Sequence, residues 1–563
     1  MTDLVPPVLV YIAGALLLPL VPNGNTRAFL SLLVPVIGAY LIWFLPEGAH
    51  GQMLLAGWDV TLLRVDKLST IFGLVFSLAA FLGLLYAWHI RDTVQQIAAI
   101  LYAGAAIGAV YAGDLISLFI FWEGTAIASV FLIWARRTEG AYWTGLRYLV
   151  VQVGSGVILL GGIVLHYLDT GSIAFEAMTL GSTATWAIFI AFGIKCAFPL
   201  LHNWLEDAYP AATVTGTVIL SAFTTKLAVY ALARGFPGTE LLIYIGATMT
   251  VFPLFYAVIE NDFRRVLAYC LNNQLGFMVV GIGVGTSLAM NGVAAHAFAH
   301  ILYKALLFMS IGAVLYRTGT AKGTELGGLY KSMPLTLLFY LIGAASISFP
   351  LFSGFVTKSL TLSATVHEGH AIAWGVLVFA SAGVFLVSGL KIPFFTFFSS
   401  DRGLRPKEAP WNMLLAMGLT AFLCIGIGVY PQFLYALLPN AVNYAPYTTT
   451  HVITQLQLLF FSVLAFTLLV RWGLYPREER AINLDFDWTY RKLGPGLIGA
   501  TQFLIRATWG RLVFAGKTRV TRSFASLERA HGPRGALART WPTGSMVLWI
   551  AVLLGGTLLL AYM

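Results

Sequence analysis

Apolar stretches of about 18 to 25 residues recur along the chain from Leu4 to Met563, each long enough to cross a hydrocarbon core of about 30 Å as a helix. Strands do not explain them, because a barrel writes short alternating segments rather than continuous apolar runs. A soluble fold is excluded too, since 58% of the 563 residues are hydrophobic and only 10% are charged. The expected fold is therefore all-α and polytopic, with about sixteen transmembrane helices. Their starts are placed near residues 4, 27, 66, 95, 114, 145, 184, 212, 239, 264, 290, 335, 372, 412, 453 and 544. The first lacks a basic leader and an A-x-A cleavage site, so a retained helix is expected rather than a signal peptide.

The net charge of +10 raises nucleic acid as a partner, but the placement of the basic residues argues for lipid instead. Loops after odd-numbered spans carry thirteen Lys/Arg residues, from Arg27 to Lys407, whereas loops after even-numbered spans carry Arg64, Lys67 and Arg234. That asymmetry predicts an N-terminus outside and the basic loops inside; the expected location is a bacterial inner membrane. No nucleic-acid partner is expected. Cys196, Cys270 and Cys424 all lie in apolar context and form no disulfide framework, iron–sulfur or zinc motif, so no cofactor is expected. The stretch His367, Glu368, Gly369, His370 mimics a metal site but has no distant third ligand. GIGVGTS opens no strand–helix unit and carries no nucleotide signal.

Two spans are interrupted. GIKCAFPLLHNWLEDAYPAA places Pro199 inside one helix, and SISFPLFSGFVTKSL places Pro350 and Gly354 inside another. Each proline removes a backbone donor and crowds the preceding turn, so the helix kinks or unwinds there. In transporters built from inverted repeats, paired breaks of this kind mark the ion pathway; a simple proline kink is the alternative.

Ionisable residues in mid-span are costly, at about 2.5–3.5 kcal/mol on insertion scales, and point to function. Glu123 lies deep in DLISLFIFWEGTAIASVFLIW, Lys195 precedes Pro199 by four residues, Lys226 is central in VILSAFTTKLAVYALA, and Lys358 follows the second break. In AAHAFAHILYKALLFM, His296, His300 and Lys304 recur every four residues and share one helix face. Desolvation disfavours a buried ammonium, while a carboxylate about 4 Å away restores it by about 4 kcal/mol at an effective dielectric of 20. Opening and closing a Glu–Lys pair therefore releases and recaptures a proton, and histidine passes it on near neutral pH. The alternatives are fixed ion pairs, snorkelling side chains or a satisfied polar core. Arg147, Arg264, Arg265 and Lys391 sit near helix ends and read as anchors, and Asp66 and Lys67 as interfacial.

These residues carry a resemblance. FWEG around Glu123, KCAFPLLHNWLEDA with Lys195, TTKLAVYALAR with Lys226, DFRRVLAYCLNNQLG, HILYKALLF with His300 and Lys304, and SGFVTK with Lys358 are similar to the antiporter-like subunits shared by respiratory complex I and the Mrp-type sodium/proton antiporters. The similarity spans residues 95 to about 400. It implies two inverted five-helix repeats, at 95–235 and 236–400, each with a broken helix. It also implies Glu123 and Lys195 as a modulating pair, Lys226, His300 and Lys304 as a central relay with His296 on the same face, and Lys358 as the way to an exit. Residues 1–94 and 401–475 would add further transmembrane helices. Three departures stand out: YPAATVTG replaces a proline-rich turn, Glu206 stands where the family often has proline, and Arg264 where a lysine commonly precedes Arg265. EDAYPAA and TTKLAVYALARGF look closest to the D-type Mrp subunits.

Between Arg471 and Arg539 thirteen Lys/Arg residues face five acids, with Leu504, Ile505, Trp509, Leu512, Val513 and Phe514 interleaved. Residues 476–543 therefore predict a basic amphipathic segment on the membrane surface or along neighbouring subunits, a disordered basic tail being the alternative. The final helix follows at 544–563. This segment resembles the lateral helix of the long complex I subunit, although its glycines and Pro533 argue against one unbroken rod. The resemblance implies a proton-translocating subunit, not itself an enzyme, working with other membrane subunits and moving protons, with Na+ or K+ as candidate counter-ions. A complex I-like redox pump and the energising subunit of an inorganic carbon uptake complex are the alternatives.

Overall fold

The computed structural model describes residues 4–562 except 56, 477, 481, 482, 533, 534 and 536–541. It forms two units, Met1–Asp485 and Phe486–Met563.

The first unit opens with α1 (Pro7–Leu17) and α2 (Gly24–Trp43), followed by an antiparallel hairpin of β1 (Gly48–Leu55) and β2 (Trp58–Val65). There follow α3 (Lys67–Tyr86), α4 (Thr93–Tyr111), α5 (Leu115–Trp134) and α6 (Glu139–Thr170). A broken pair, α7 (Thr183–Lys195) and α8 (Asn203–Ala211), precedes a second one, α9 (Val214–Leu220) and α10 (Thr224–Gly235). The chain continues through α11 (Leu241–Ile259), α12 (Phe263–Val284), α13 (Ser287–Thr318), α14 (Pro334–Ala345) and α15 (Ser353–His367). It ends with α16 (Ala371–Val384), α17 (Trp411–Val429), α18 (Gln432–Tyr435) and α19 (Thr449–Arg471). Among the described residues thirteen helices are long and apolar enough to cross a membrane, and three shorter apolar ones lie at Pro7–Leu20, Thr183–Lys195 and Pro334–Ala345. The polytopic helical fold is thus confirmed, with starts within a few residues of those expected.

The scattered polar residues between spans are helix caps. Asp66, Asp92, Asp114, Ser182, Asp262 and Thr286 each accept a backbone N–H in the first turn of the helix that follows, satisfying donors the helix leaves open. Left-handed Gly171, Gly285 and Gly319 end α6, α12 and α13. The β1–β2 hairpin replaces the plain loop expected between the second and third spans. Its strands run in register from Gly48–Val65 to Leu55–Trp58, and Asp114, while capping α5, also accepts the Thr61 N–H at 2.7 Å.

Burial sorts the helices. The segments Val214–Gly235 and Phe263–Val284 are wholly buried in their most apolar windows and Ser287–Thr318 is 89% buried, against 17% for Thr449–Arg471. So α9, α10, α12 and α13 form the core, and among them α10 and α13 carry Lys226, His296, His300 and Lys304. Helices α11 and α12 pack backbone to backbone, since a Cβ at Gly276 would lie 2.5 Å from the Gly246 carbonyl oxygen, the close approach small residues permit in membranes.

Asp66 does more than sit at an interface. It caps α3 at the Ser69 N–H (2.8 Å), and its two oxygens accept hydrogen bonds from Arg234 at 2.9 and 2.7 Å. Burial pushes its carboxyl up, but the Arg234 guanidinium and the Ser69 N–H outweigh burial and hold it below its ordinary value. A lowered carboxylate stabilises the fold above its unfolded pKa near 4 and loses that contribution as pH falls through the folded value. Asp66→Ala should lower stability by roughly 2–3 kcal/mol, the loss of a cap plus an unpaired buried guanidinium. Thermal melts in detergent at pH 7 and at pH 3 test this; the difference from the parent chain should shrink at the lower pH.

The second unit contains α20 (Gly494–His531) and α21 (Thr543–Tyr562). Helix α20 runs without interruption through Gly496, Gly499, Gly510 and Gly516, correcting the expectation that the glycines would break it. Pro533 lies outside the described residues. At roughly 1 kcal/mol each, four glycines do not stop a 38-residue helix. Leu504, Trp509, Leu512 and Phe514 are all exposed within the chain.

Candidate functional site

At the first break, α7 ends at Lys195 and the chain turns through left-handed Ala197 and Leu200 around Pro199. Trp204 donates its indole N–H to the freed Ile194 carbonyl at 2.9 Å. The Lys195 ammonium is fully buried. It donates to the Trp122 carbonyl and, at 3.0 Å, to the Thr125 hydroxyl, and lies 4.5 Å above the Trp122 ring. Glu123 is the next residue along α5. Its carboxylate fits against α6 only because Gly156 has no side chain, since a Cβ there would overlap Oε1. That oxygen is buried with no hydrogen-bond partner among the described residues. Glu123 and Lys195 make no ion pair within 4 Å, yet their charges interact. Lys195 is thus held beside the carboxylate on neutral acceptors.

A break that sequence reasoning missed separates α9 from α10. Lys226 lies just past it and donates back to the Ser221 carbonyl at 2.8 Å and to Thr225 at 3.3 Å, satisfying a carbonyl that the break exposes. Cys196, adjacent to Lys195, lies within electrostatic reach of Lys226. Next come His300 and Lys304 on α13. The Lys226 charge interacts with both. His300 has no partner on either ring nitrogen among the described residues and stacks on His296 at 5.9 Å. His296 Nδ1 lies 3.2 Å from the Thr357 hydroxyl.

Lys358 follows Thr357 on α15, beyond the second break. It donates to Ser348 at 3.3 Å and Ser381 at 3.4 Å and lies 4.9 Å above the Phe277 ring. Its charge interacts with those of Lys304 and His296, and a cleft beside it is lined by Ser348, Gly354, His451 and Gln455. The seven mid-span residues thus follow one another from Glu123 and Lys195, by way of Cys196, to Lys226, His300, Lys304, His296 and Lys358.

The neutral partners of this row were not foreseen. Thr125, Thr357, Ser348 and Ser381 are ordinary residues locally and become partners only through packing. A signal did exist for Asn272, Asn273 and Gln274, three amides in a row in the middle of α12. They are buried there, with Gln274 accepting from the Tyr303 hydroxyl at 2.9 Å. Two residues read as anchors near helix ends are enclosed by protein rather than exposed to headgroups. Arg264 is buried and donates to the carbonyls of Tyr209, Pro210 and Ala212 at 2.9–3.0 Å, closing the end of α8. Lys391 is wholly buried in a π-helical stretch (Phe385–Lys391) that prolongs α16.

A membrane-spanning bundle with two proline-broken helices and a row of buried amines and imidazoles beside one half-buried carboxylate defines a class, the polytopic proteins that handle ions inside a helix core. Residues 112–386 match the model of the NADH:quinone oxidoreductase/Mrp antiporter transmembrane family. The D subunit of the Na(+)/H(+) antiporter of Alkalihalophilus pseudofirmus is 30% identical over 357 residues, covering 59% of this chain and 72% of that protein. The A subunit of the Na(+)/H(+) antiporter of Bacillus subtilis is 30% identical over 390 residues, 61% of this chain, but the chain spans only 48% of its length. In fold, the chain matches across its full length one chain in the structure of the membrane-bound sulfane sulfur reductase, an archaeal respiratory membrane complex, with a TM-score of 0.73 at 21% identity. The chain belongs to the NADH:quinone oxidoreductase/Mrp antiporter family.

Proposed function

We infer that this chain is the proton-translocating, antiporter-like subunit of a multisubunit membrane complex, of the kind represented by the D-type Mrp subunits. The observation that supports it is the continuous buried row in which lysines rest on hydroxyls and carbonyls rather than on fixed carboxylates. Two like charges about 6 Å apart repel by about 3 kcal/mol at an effective dielectric of 20. A proton placed on one amine therefore disfavours charge on the next, so occupancy advances along the row as each site empties. Glu123 sets the first step, because its approach to Lys195 favours the charged amine and its withdrawal favours release. Lys226, His300, Lys304 and His296 carry the proton between the two breaks, and Lys358 delivers it to one side.

In this reading residues 95–235 and 236–400 are inverted repeats, the N-terminus faces outward, the basic loops face the cytoplasm, and Na+ or K+ is a candidate counter-ion. The chain itself catalyses no covalent chemistry. A second reading, the pumping subunit of a redox-driven respiratory complex, is favoured by the full-length match to a chain of a respiratory complex, which includes the C-terminal unit. Co-purification of flavin or iron–sulfur proteins with the chain would select it. Either way the relay is tested by proton flux in liposomes containing the purified complex. Lys358→Ala should lower flux about 100-fold, the lower end of what loss of one positioned proton-transfer group costs; unchanged flux would remove Lys358 from the route, and no flux in the parent complex would defeat the reading itself.

A further inference from the structure

Outside the row lies a second buried ionisable cluster, built on α8. His202, Glu206 and Tyr209 stand at i, i+4 and i+7 and share one face of that segment. Glu206 is wholly buried, and neither of its carboxyl oxygens has a hydrogen-bond partner among the described residues. A buried acid so placed is expensive to keep unless it has work to do. On one side of it Asp485 is packed in from far along the chain. That carboxylate accepts from the Tyr269 hydroxyl at 2.7 Å and from the Asn203 amide, and His202 Nε2 lies 3.3 Å away. On the other side Tyr209 donates to the Leu220 carbonyl at 2.8 Å, and Lys226 to the neighbouring Ser221 carbonyl. Tyr209 and Lys226 are thereby docked on successive carbonyls of the α9–α10 break. The charged groups facing Glu206 are His202 at the start of its own helix, Arg265 on α12, and Asp485.

We propose that Glu206 is an additional proton-carrying residue that loads Lys226, with Tyr209 as the bridge and the His202–Asp485 pair as its gate. This rests on the relay reading under Proposed function. In the step the Tyr209 hydroxyl swings off the Leu220 carbonyl, takes the proton of the protonated Glu206 carboxyl and gives its own to the neutral Lys226 amine, which becomes ammonium and leaves Glu206 as carboxylate. The carboxylate left behind takes its next proton from the His202 imidazolium, whose charge Asp485 supports. With the basic loops facing the cytoplasm, the start of α12 at Arg264 and Arg265 and the end of α8 lie on that side, so the cluster draws its protons from there.

The test is proton flux as a function of pH in liposomes holding the intact complex. Glu206→Gln should lower flux about tenfold or more, Tyr209→Phe several-fold, and Glu206→Asp should keep substantial flux with a displaced pH profile. A carboxylate of merely structural value would leave the pH profile of Glu206→Asp unmoved, and that result overturns the proposal even if Glu206→Gln fails to assemble. Parent-like flux in Glu206→Gln, alongside lost flux in Lys195→Ala, overturns the role of Glu206 and leaves the relay standing. Parent-like flux in both variants defeats the relay reading itself.

Discussion

Lys195→Ala should reduce proton flux at least about 100-fold, the lower end of what a positioned proton-transfer group contributes, while the complex still assembles. The size of the effect follows from placement. Lys195 is the residue by which the break at Pro199 meets α5: its ammonium rests on the Trp122 carbonyl and the Thr125 hydroxyl, one residue before and two after Glu123. Without it no amine stands between Glu123 and Lys226. Assembly should survive, because Trp122 keeps its indole bond to Ser155 at 3.1 Å and Ser155 keeps its bond to the Ala191 carbonyl at 2.8 Å. Lys195→Arg should not rescue, since a guanidinium does not release its proton in a protein. Gly156→Ala offers a separate check, because a methyl there displaces the Glu123 carboxylate and should impair flux with every ionisable residue retained. Full flux in Lys195→Ala would remove the pair from the mechanism.

What made these residues legible was the solvent. Lipid requires continuous apolar runs with internally satisfied backbones, so Glu123 and Lys226 stand out against their neighbours without any knowledge of packing. The breaks at Pro199 and Pro350 were legible for a local reason, a missing N–H. The break at Ser221–Phe223 was not, because LSAFTTK contains neither proline nor glycine; it is held by Lys226 and Tyr209 drawing off carbonyls, a tertiary cause. The hairpin at 48–65 passed as a loop because a two-stranded element leaves little apolar periodicity. Least legible of all was the Glu206 cluster. Its members Asn203 and Asp485 are separated by 282 residues, and pairing over such a distance has no signature in local sequence. Glu206 itself stood out only as a departure from the resembled pattern.

Lys391→Ala should be strongly destabilising, by about 3–5 kcal/mol, the cost of removing one partner from a buried ion pair. Lys391 pairs with Glu478 at 3.0 Å and donates to the Val258 and Glu260 carbonyls at 2.7 and 2.8 Å, closing the open end of α11. Its loss leaves those carbonyls without that donor and leaves Glu478 beside Glu260, whose charge opposes its own. Burial already pushes the Glu478 carboxyl up, and Lys391 is what opposes that push. In the variant the folded value rises further above the unfolded value near 4.3. A raised acid binds more protons folded than unfolded, so stability falls as pH rises through that window. Melts of Lys391→Ala in detergent should therefore lie far below the parent at pH 8 and move closer to it near pH 5. The double variant Lys391→Met with Glu478→Gln should recover much of the loss, because no buried charge of that pair remains unpaired. It should also transport protons normally, since neither residue lies in the row from Glu123 to Lys358. A stable double variant without proton flux would instead place Lys391 on the route.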